Sequence, residues 1–386
     1  MFIPYGHQSI SEEDIAAVVE VLRSDWLTQG PHVTQFEKAL ADYCEAKHAV
    51  AICNGTAALH LACLALGIGK HDRVWTSPNT FVASANCALY CGAAVDFVDI
   101  DPRTYNMSVE QLEKKLIQAK KENKLPKLVI PVHFAGQSCD MKKIRQLADA
   151  YNFYLVEDAC HAIGGKYENK PIGNCCYADM TVFSFHPVKI ITTGEGGAIT
   201  TNNSALDKKL RLFLTHGITK NTADMENQQE GAWYYEQQVL GFNYRMTDIQ
   251  CALGRSQLKR INKFVTERRR LVNVYHQALK KLPVILPYEE KWSYSAYHLY
   301  VIRLELDKIN KTRRQVFDEL RAANIGVNVH YIPVHTEPYY QVLGFQRGDF
   351  PESEKYYEAA ITLPLYVGLI EEEQRYIIER LYEFVI

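Results

Sequence analysis

From His48 to Glu157 the chain alternates between short apolar runs and segments with helical periodicity, and this alternation limits the possible folds. His48–Cys53, Val74–Ser77, Ala94–Val98, Leu128–Val132 and Phe153–Glu157 read as strands. Thr56–Leu66, Phe81–Tyr90, Ser108–Lys120 and Met141–Tyr151 read as the helices between them. Strands that are apolar on both faces and joined through helices predict a mainly parallel sheet covered on both sides. At 386 residues the chain is long for one core. The expectation is a large α/β domain over residues 1–255 and a smaller C-terminal α/β domain over 256–386.

The flanking segments fit that plan. Ser11-Glu12-Glu13-Asp14 carries a cap and an acidic first turn, followed by an apolar face of Ile15, Val18, Val19 and Leu22. Asp25 to Pro31 interrupts this helix, and Val33–Tyr43 reads as the next. Ala178–Phe183 and Gly197–Thr201 read as further strands and Leu206–Thr215 as a helix. The stretch from Gly217 to Gln238 is long, polar and tipped by Trp233, Tyr234 and Tyr235. Loops of that length are usually functional, so a lid, a wall lent to a partner subunit and a surface excursion all stay open. A helix from Thr247 through Leu258 is expected to run past Arg268 into the smaller domain. There His298–Leu306 and Gly326–His330 read as strands, and Thr312–Ala323 and Glu371–Phe384 as helices.

In sheets of this kind ligands bind beyond the carboxyl ends of the strands, which directs attention to the residues just after each one. After the first comes Asn54-Gly55-Thr56-Ala57, opening a helix. Free N–H groups, the helix dipole and a hydroxyl suit a phosphate there, and an ordinary Asn-Gly turn is the plainer alternative. After the second, Phe81 is either core packing or a ring stacked on a planar ligand. After the fifth, Asp158 ends a buried strand, where an unpaired carboxylate is costly and a protonated heterocyclic nitrogen would match it. His161 either bonds the same ligand or caps the following turn.

The stretch from Ser184 to Gly197 places one lysine, Lys189, among apolar and hydroxyl residues before a glycine cluster. Burial disfavours the ammonium, so its pKa should fall, and a neutral amine attacks carbonyl carbon. A surface lysine in a hairpin loop is the alternative. A phosphate cradle, a stacking ring, a partner for a pyridinium and a Schiff-base lysine together are what pyridoxal 5′-phosphate requires.

Composition removes other classes. A net charge of −2 argues against nucleic-acid binding or a polybasic membrane anchor. No apolar run reaches a membrane span, and Met1-Phe2-Ile3-Pro4 lacks a signal-peptide core. The ten cysteines contain no CxxC pair, so buried thiols in a reducing cytoplasm are expected, with no metal. No GxGxxG or GxxxxGK[ST] stretch points to a dinucleotide or a nucleoside triphosphate.

Asn54-Gly55-Thr56-Ala57-Ala58-Leu59, Glu157-Asp158-Ala159, Ser184-Phe185-His186-x-x-Lys189, Gly194-Glu195-Gly196-Gly197 and Gly241-Phe242-Asn243-Tyr244-Arg245-Met246-Thr247-Asp248 form a familiar series. From about residue 5 to the end, the chain resembles the nucleotide-sugar aminotransferases of the DegT/StrS type. The resemblance implies the fold type I, aspartate-aminotransferase-like architecture. It also implies that Lys189 holds pyridoxal 5′-phosphate as a Schiff base, Asp158 pairs with the ring nitrogen and Phe81 stacks on the ring. His161 would stand near the phenolic oxygen. Gly55, Thr56, Ala57 and Ser184 would bind the phosphate, joined by Asn243 from the other subunit of a homodimer with shared active sites. Because Lys189 is retained, the resemblance implies transamination, with L-glutamate as donor, and not dehydration.

Tyr5, Leu27-Thr28-Gln29-Gly30, Ser184 to Lys189 with Thr192-Thr193, and Val329-His330-Tyr331-Ile332-Pro333 are similar to one branch of that family. That branch aminates a UDP-linked 4-keto-6-deoxy-N-acetylhexosamine in pseudaminic acid biosynthesis. The likeness would set Tyr5, Trp26, Leu27, Thr28, Val329, His330, Tyr331 and Ile332 against the nucleotide sugar. Perosamine-type and 4-amino-arabinose-type branches share parts of the pattern, and a non-catalytic regulatory member of the fold stays open. Trp26 as core and His330 as a strand end are the plainer readings.

Overall fold

The computed structural model describes residues 2–227 and 231–386. A seven-stranded sheet forms the centre of the larger body. Its strands are β1 (His48–Ile52), β2 (Arg73–Thr76), β3 (Ala94–Phe97), β4 (Leu128–Ile130), β5 (Tyr154–Asp158), β6 (Met180–Ser184) and β7 (Gly197–Thr201). They lie in the order β1-β7-β6-β5-β4-β2-β3. Only β7 runs against the others, antiparallel to both β1 and β6. The carboxyl ends of β1, β2, β5 and β6 therefore open on the same edge. Helices Gly55–Ala65, Ala83–Tyr90, Val109–Lys121 and Met141–Tyr151 alternate with the strands as the periodicity predicts.

Val156, Met180, Val182 and Ile199 pack with Leu59 and Leu61 in one apolar layer, while Leu112, Val129, Ile144 and Leu155 form another. A strand covered on both faces has no polar side, which explains the continuous apolar runs. At the end of β5 two neighbouring acids part company. Glu157 turns to the face opposite Asp158. There Glu157 accepts from Thr181 Oγ1 (3.1 Å) and His133 Nε2 (3.3 Å). His133 Nδ1 in turn accepts from the Cys139 N–H, which puts the ring proton on Nε2.

Ser11 caps helix Glu12–Leu22 through a reciprocal bond with Asp14, as its acidic first turn suggests. The expected apolar face is turned differently. Ile15 and Leu22 are exposed, whereas Asp14 and Val21 are buried. Asp14 accounts for this, since its carboxylate receives the Ser11 N–H, Gln257 Nε2 and the Arg260 guanidinium. A buried ion pair with several donors outweighs the apolar pattern of one short helix.

The helix beginning at Thr247 does not run unbroken past Arg268. It stops at Leu258, and a second helix, Ile261–Leu279, starts after a tightened turn at Lys259 and Arg260. The first part of that second helix (Ile261, Phe264, Val265) packs into the large body. Its remainder (Leu271, Val272, Tyr275, Leu279) joins a separate core built from Val284 to Val385, together with Ile3. The second core holds a three-stranded sheet of β8 (Val284–Ile285), β9 (Tyr300–Leu304) and β10 (Ala360–Leu363).

The expected strand Gly326–His330 does not form, and β10 is a strand the sequence reading did not single out. Residues 325–330 make only isolated bridges, Ile325 with Ile3 and Asn328 with Thr362. This segment meets the edge of β10 only at Asn328 and then runs into the cleft, where Asn328 to Ile332 line the wall. Buried Arg268 ties the two bodies together, donating from Nη1 to the carbonyls of Tyr297, His298 and Leu365.

The Gly217–Gln238 stretch forms a short arm in which Ile218–Thr219 pairs with Glu236–Gln237. Gln228, Gln229 and Glu230 lie outside the described residues. None of the arm's described residues lines the cleft, and Trp233 and Tyr235 are exposed. No helix among the described residues is long and apolar enough to cross a membrane.

Candidate active site

A cavity of about 910 Å³ opens at the shared edge of the sheet. Its floor comes from the residues after β1, β2, β5 and β6, and its roof from Asn328 to Ile332 of the smaller body. Lys189, Asp158, Gly55, Thr56, Ala57, Phe81, His161, Ser184, Tyr5, Val329, His330, Tyr331 and Ile332 all line it. Trp26, Leu27, Thr28 and Asn243 do not.

One end of the cavity is made for an anion. Asn54 caps helix Gly55–Ala65 by accepting the Ala57 N–H at 2.8 Å. Ala57 thus lines the cavity with its own N–H already used. Among the described residues no acceptor takes the N–H of Gly55 or Thr56, the first two of the helix. Ser184, the last residue of β6, faces them. A Cβ on Gly55 would stand 3.0 Å from Ser184 Cβ and 3.3 Å from Cys160 Sγ, so glycine allows strand end and helix start to converge. Two N–H groups, a hydroxyl and a helix dipole are a phosphate cradle.

The other end presents a carboxylate. Asp158 is 5% exposed, yet among the described residues no cationic side chain pairs with it at salt-bridge distance. Its Oδ2 accepts from Ser84 Oγ (2.6 Å), itself bonded to Thr80 Oγ1 (2.8 Å). Oδ1 accepts the Cys160 N–H at 3.1 Å. These bonds orient the carboxylate but bring no positive charge to it, and a protonated ring nitrogen would.

Lys189 extends into the cavity from the turn after β6. Burial holds its pKa below the ordinary lysine value, with Cys160 and Asp158 opposing that shift. The direction is the one a Schiff-base lysine needs. Thr192 and Thr193, which follow it, bond the Phe185 and Glu195 carbonyls and so shape the turn. Phe81 is 57% exposed, with its ring 6.2 Å from that of Tyr331. It is therefore not core packing and is available to cover a planar ligand.

Three histidines gather on the wall beside Lys189. His161 lies 4.5 Å from His298, ring to ring, and His330 accompanies Tyr5 at 5.5 Å. Burial first, then nearby positive groups, push His161 and His298 well below the ordinary histidine pKa and His330 down to about 3. All three are neutral at neutral pH. His330 is no strand end, since its Nδ1 meets Thr362 Oγ1 at 2.8 Å.

Sequence reasoning passed over Ser84 and His298. Neither carries a local signal. Ser84 sits in a small-residue helix, and His298 stands at the site with its carbonyl held by Arg268.

Trp26 and Leu27 are 54% and 49% exposed, so Trp26 is not core either. Thr28 bridges Thr247, and Asn243 is an exposed residue a few positions earlier. The four residues that miss the cavity thus sit around the start of helix Asp248–Leu258. Thr247 caps that helix together with Gln250, so Asn243 does not.

The donor set fits pyridoxal 5′-phosphate part by part: phosphate cradle, stacking ring, unmatched buried carboxylate and depressed lysine.

Residues 8–382 match the pattern of the DegT/DnrJ/EryC1/StrS aminotransferase family. The chain is 36% identical over 385 residues to the UDP-4-amino-4,6-dideoxy-N-acetyl-beta-L-altrosamine transaminase of Campylobacter jejuni, covering 99% of this chain and 97% of that one. It is 38% identical over 359 residues to the GDP-perosamine synthase of Caulobacter vibrioides, covering 92% and 91%. Among solved structures, Helicobacter pylori PseC, an aminotransferase involved in the biosynthesis of pseudoaminic acid, superposes with a TM-score of 0.91. The identity is 30%, with 100% and 99% of the chains covered. The putative sugar aminotransferase Spr1654 from Streptococcus pneumoniae, in its PMP form, gives a TM-score of 0.90 at 32% identity, with 99% of each chain covered.

Proposed function

The chain belongs to the DegT/DnrJ/EryC1/StrS aminotransferase family, and from that premise we propose which reaction it performs. It moves an amino group from L-glutamate to the C4 ketone of a UDP-linked 4-keto-6-deoxy-N-acetylhexosamine. The product is the UDP-4-amino-4,6-dideoxy-N-acetyl-beta-L-altrosamine of pseudaminic acid biosynthesis. The active form is a cytoplasmic homodimer with shared sites. The observation that carries the catalytic part is the convergence of Asp158 and Lys189 on one cavity from the ends of adjacent strands.

Pyridoxal 5′-phosphate, when bound, supplies an aldehyde for an amine and a protonated ring that draws electrons from the carbon losing a proton. Gly55 and Thr56 N–H groups and Ser184 Oγ hold the phosphate. Phe81 covers the ring and excludes water. Asp158 keeps the proton on the ring nitrogen, with Ser84 and the Cys160 N–H fixing the carboxylate. Lys189 Nζ, neutral because it is desolvated, takes the proton from the donor's α-carbon and returns it on the other side of the transfer.

The sugar assignment rests on the 36% identity with the altrosamine transaminase and on the placement of Tyr5 and Val329 to Ile332 at the cavity. The 38% identity with GDP-perosamine synthase supports a second reading, a GDP-linked ketosugar. Two observations support a dimer. Lys189 is the only lysine or arginine among the described residues lining the cavity, too little charge for a nucleotide diphosphate. The exposed group around Trp26, Leu27, Thr28 and Asn243 could complete a neighbour's site. The ten unpaired thiols suit a reducing cytoplasm.

The test is incubation with glutamate and, separately, the UDP-linked and GDP-linked ketosugars, with the products read by NMR. Amination of the UDP-linked hexosamine at C4 supports the proposal. Turnover of the GDP-linked sugar alone replaces it with the second reading.

A further inference from the structure

Arg268 is a buried cation whose charge is left unmatched. It is 2% exposed, and among the described residues no carboxylate stands within salt-bridge distance of it. Burial pulls its pKa down to about 10, with no acidic neighbour to oppose the shift, and it is still charged at neutral pH.

A guanidinium carries five N–H groups in a fixed fork. Nη1 donates to the carbonyls of Tyr297 (3.3 Å), His298 (3.2 Å) and Leu365 (2.9 Å). The edge formed by Nε and Nη2 is unused. Nε is buried without an acceptor, and among the described residues none accepts from Nη2 either. Orphaned N–H groups are rare in folded proteins because each one costs free energy, and these sit on a charge.

Arg268 also borders a second, small cavity of about 10 Å³, walled by residues 7–9 on one side and by Lys189 and Thr192 on another. It has room for one water or one ion of similar size. With Nη1 turned to the carbonyls, Nε and Nη2 are the groups left to face it. We infer that this cavity is a binding site for one small monovalent anion, of about the size of chloride, held in the fork of Arg268 Nε and Nη2. The proposed reaction does not enter this inference.

A water would accept from the fork but leave the charge unmatched. A small anion does both, and N–H donors form stronger bonds to a charged acceptor. Nothing on the wall repels it, since His7, Lys189 and Arg268 are the titratable groups there and no acid lines it. Ser9 Oγ has no partner among the described residues and can add a third donor. Asp14, which Gln257 joins to this wall, is already matched by Arg260. A cavity so small excludes larger oxyanions such as sulfate.

The site lies where the two bodies join. Arg268 belongs to a helix whose start packs into the larger body, and its other edge holds three carbonyls of the smaller one. An occupied site therefore stabilises the folded chain, and the gain follows anion concentration.

The test compares thermal unfolding of the holoenzyme in sodium chloride and in sodium gluconate at equal ionic strength. Gluconate is too large for the cavity, so screening is constant and only occupancy changes. Chloride should raise the Tm saturably, by about 1 °C to 2 °C at roughly tenfold its Kd. Arg268→Met should lose that chloride dependence, whatever its own Tm. Crystals of the holoenzyme soaked in sodium bromide supply the second measurement, since bromide scatters anomalously and water does not. One bromide peak within about 3.5 Å of both Nε and Nη2 is expected.

The inference is overturned if chloride and gluconate give the wild type the same Tm. A water at the fork with no bromide peak overturns it as well. So does an Arg268→Met protein that responds to chloride as the wild type does, which places the effect elsewhere. If Arg268→Met does not fold, the wild-type Tm and the bromide peak decide.

Discussion

Ser84 Oγ donates a 2.6 Å hydrogen bond to Oδ2 of Asp158, joining the helix after β2 to the end of β5 across the floor of the cavity. The hydroxyl orients the carboxylate, so it influences chemistry at a ring it does not touch. Ser84→Ala should lower kcat by about ten- to a hundredfold, the range expected for one hydrogen bond to a buried charge. Asp158→Asn, which removes the charge itself, should lower it by several orders of magnitude while weakening cofactor binding less, because the phosphate contacts survive. Steady-state kinetics with a parallel measurement of cofactor Kd checks both. A Ser84→Ala enzyme within about twofold of wild type would make that hydroxyl mere packing.

Lys189 is expected to carry the cofactor covalently. The purified protein should be yellow, and borohydride should fix the cofactor to a single peptide containing Lys189. Lys189→Ala should lose the covalent attachment and the colour that depends on it. Mass spectrometry locates the label, and a different labelled lysine would refute the assignment.

Asn243 is predicted to serve the neighbouring chain's phosphate site. Hybrid dimers of an Asn243→Ala chain and a Lys189→Ala chain contain one site with its own Lys189 and an intact Asn243 from the partner. That site should recover close to full activity per site although the Lys189→Ala parent is inactive. If hybrids form, Asn243→Ala alone is impaired and mixing restores nothing, the residue serves its own chain.

The buried histidines give stability a pH dependence whose sign can be worked out. Above about pH 6.5 they are neutral in both folded and unfolded chains and contribute no slope. Below it the unfolded chain takes up protons that the folded chain refuses, since His330 titrates only at about 3 and His161 and His298 are also held well below their ordinary value. Stability is therefore lost as pH falls from about 6.5 toward 3, by about 1.4 kcal/mol per pH unit for each histidine. Urea unfolding of the apoprotein at a series of pH values measures the slope. His330→Gln should flatten it by roughly one histidine's share, and an unchanged slope would mean that His330 is protonated in the folded state.

Much of this protein was legible in the chain itself. The run of strands and helices from His48 to Asp158 rests on periodicity and caps, which are local properties, and so the sheet and its ligand-binding edge follow from the sequence. The placement of Lys189 and Asp158 in one cavity was legible for a related reason. A lysine in an uncharged run and a carboxylate ending an apolar strand are both costly unless used, whatever surrounds them. What the sequence misjudged were contests between local pattern and distant partners. The apolar stripe of Ile15 and Leu22 is turned outward because Gln257 and Arg260 hold Asp14. The 326–330 segment forms no strand, touching the small sheet only through Asn328 on β10 before it runs into the cleft. Only the tertiary structure could set Ser84 on Asp158, bring His298 against His161, and show that both nitrogens of His161 are occupied. Those facts depend on side chains far apart in sequence meeting within about 3 Å to 5 Å, at which range hydrogen bonds and burial set proton positions. The order of residues along the chain specifies no such distance. It is fixed when the two bodies close over the end of the sheet.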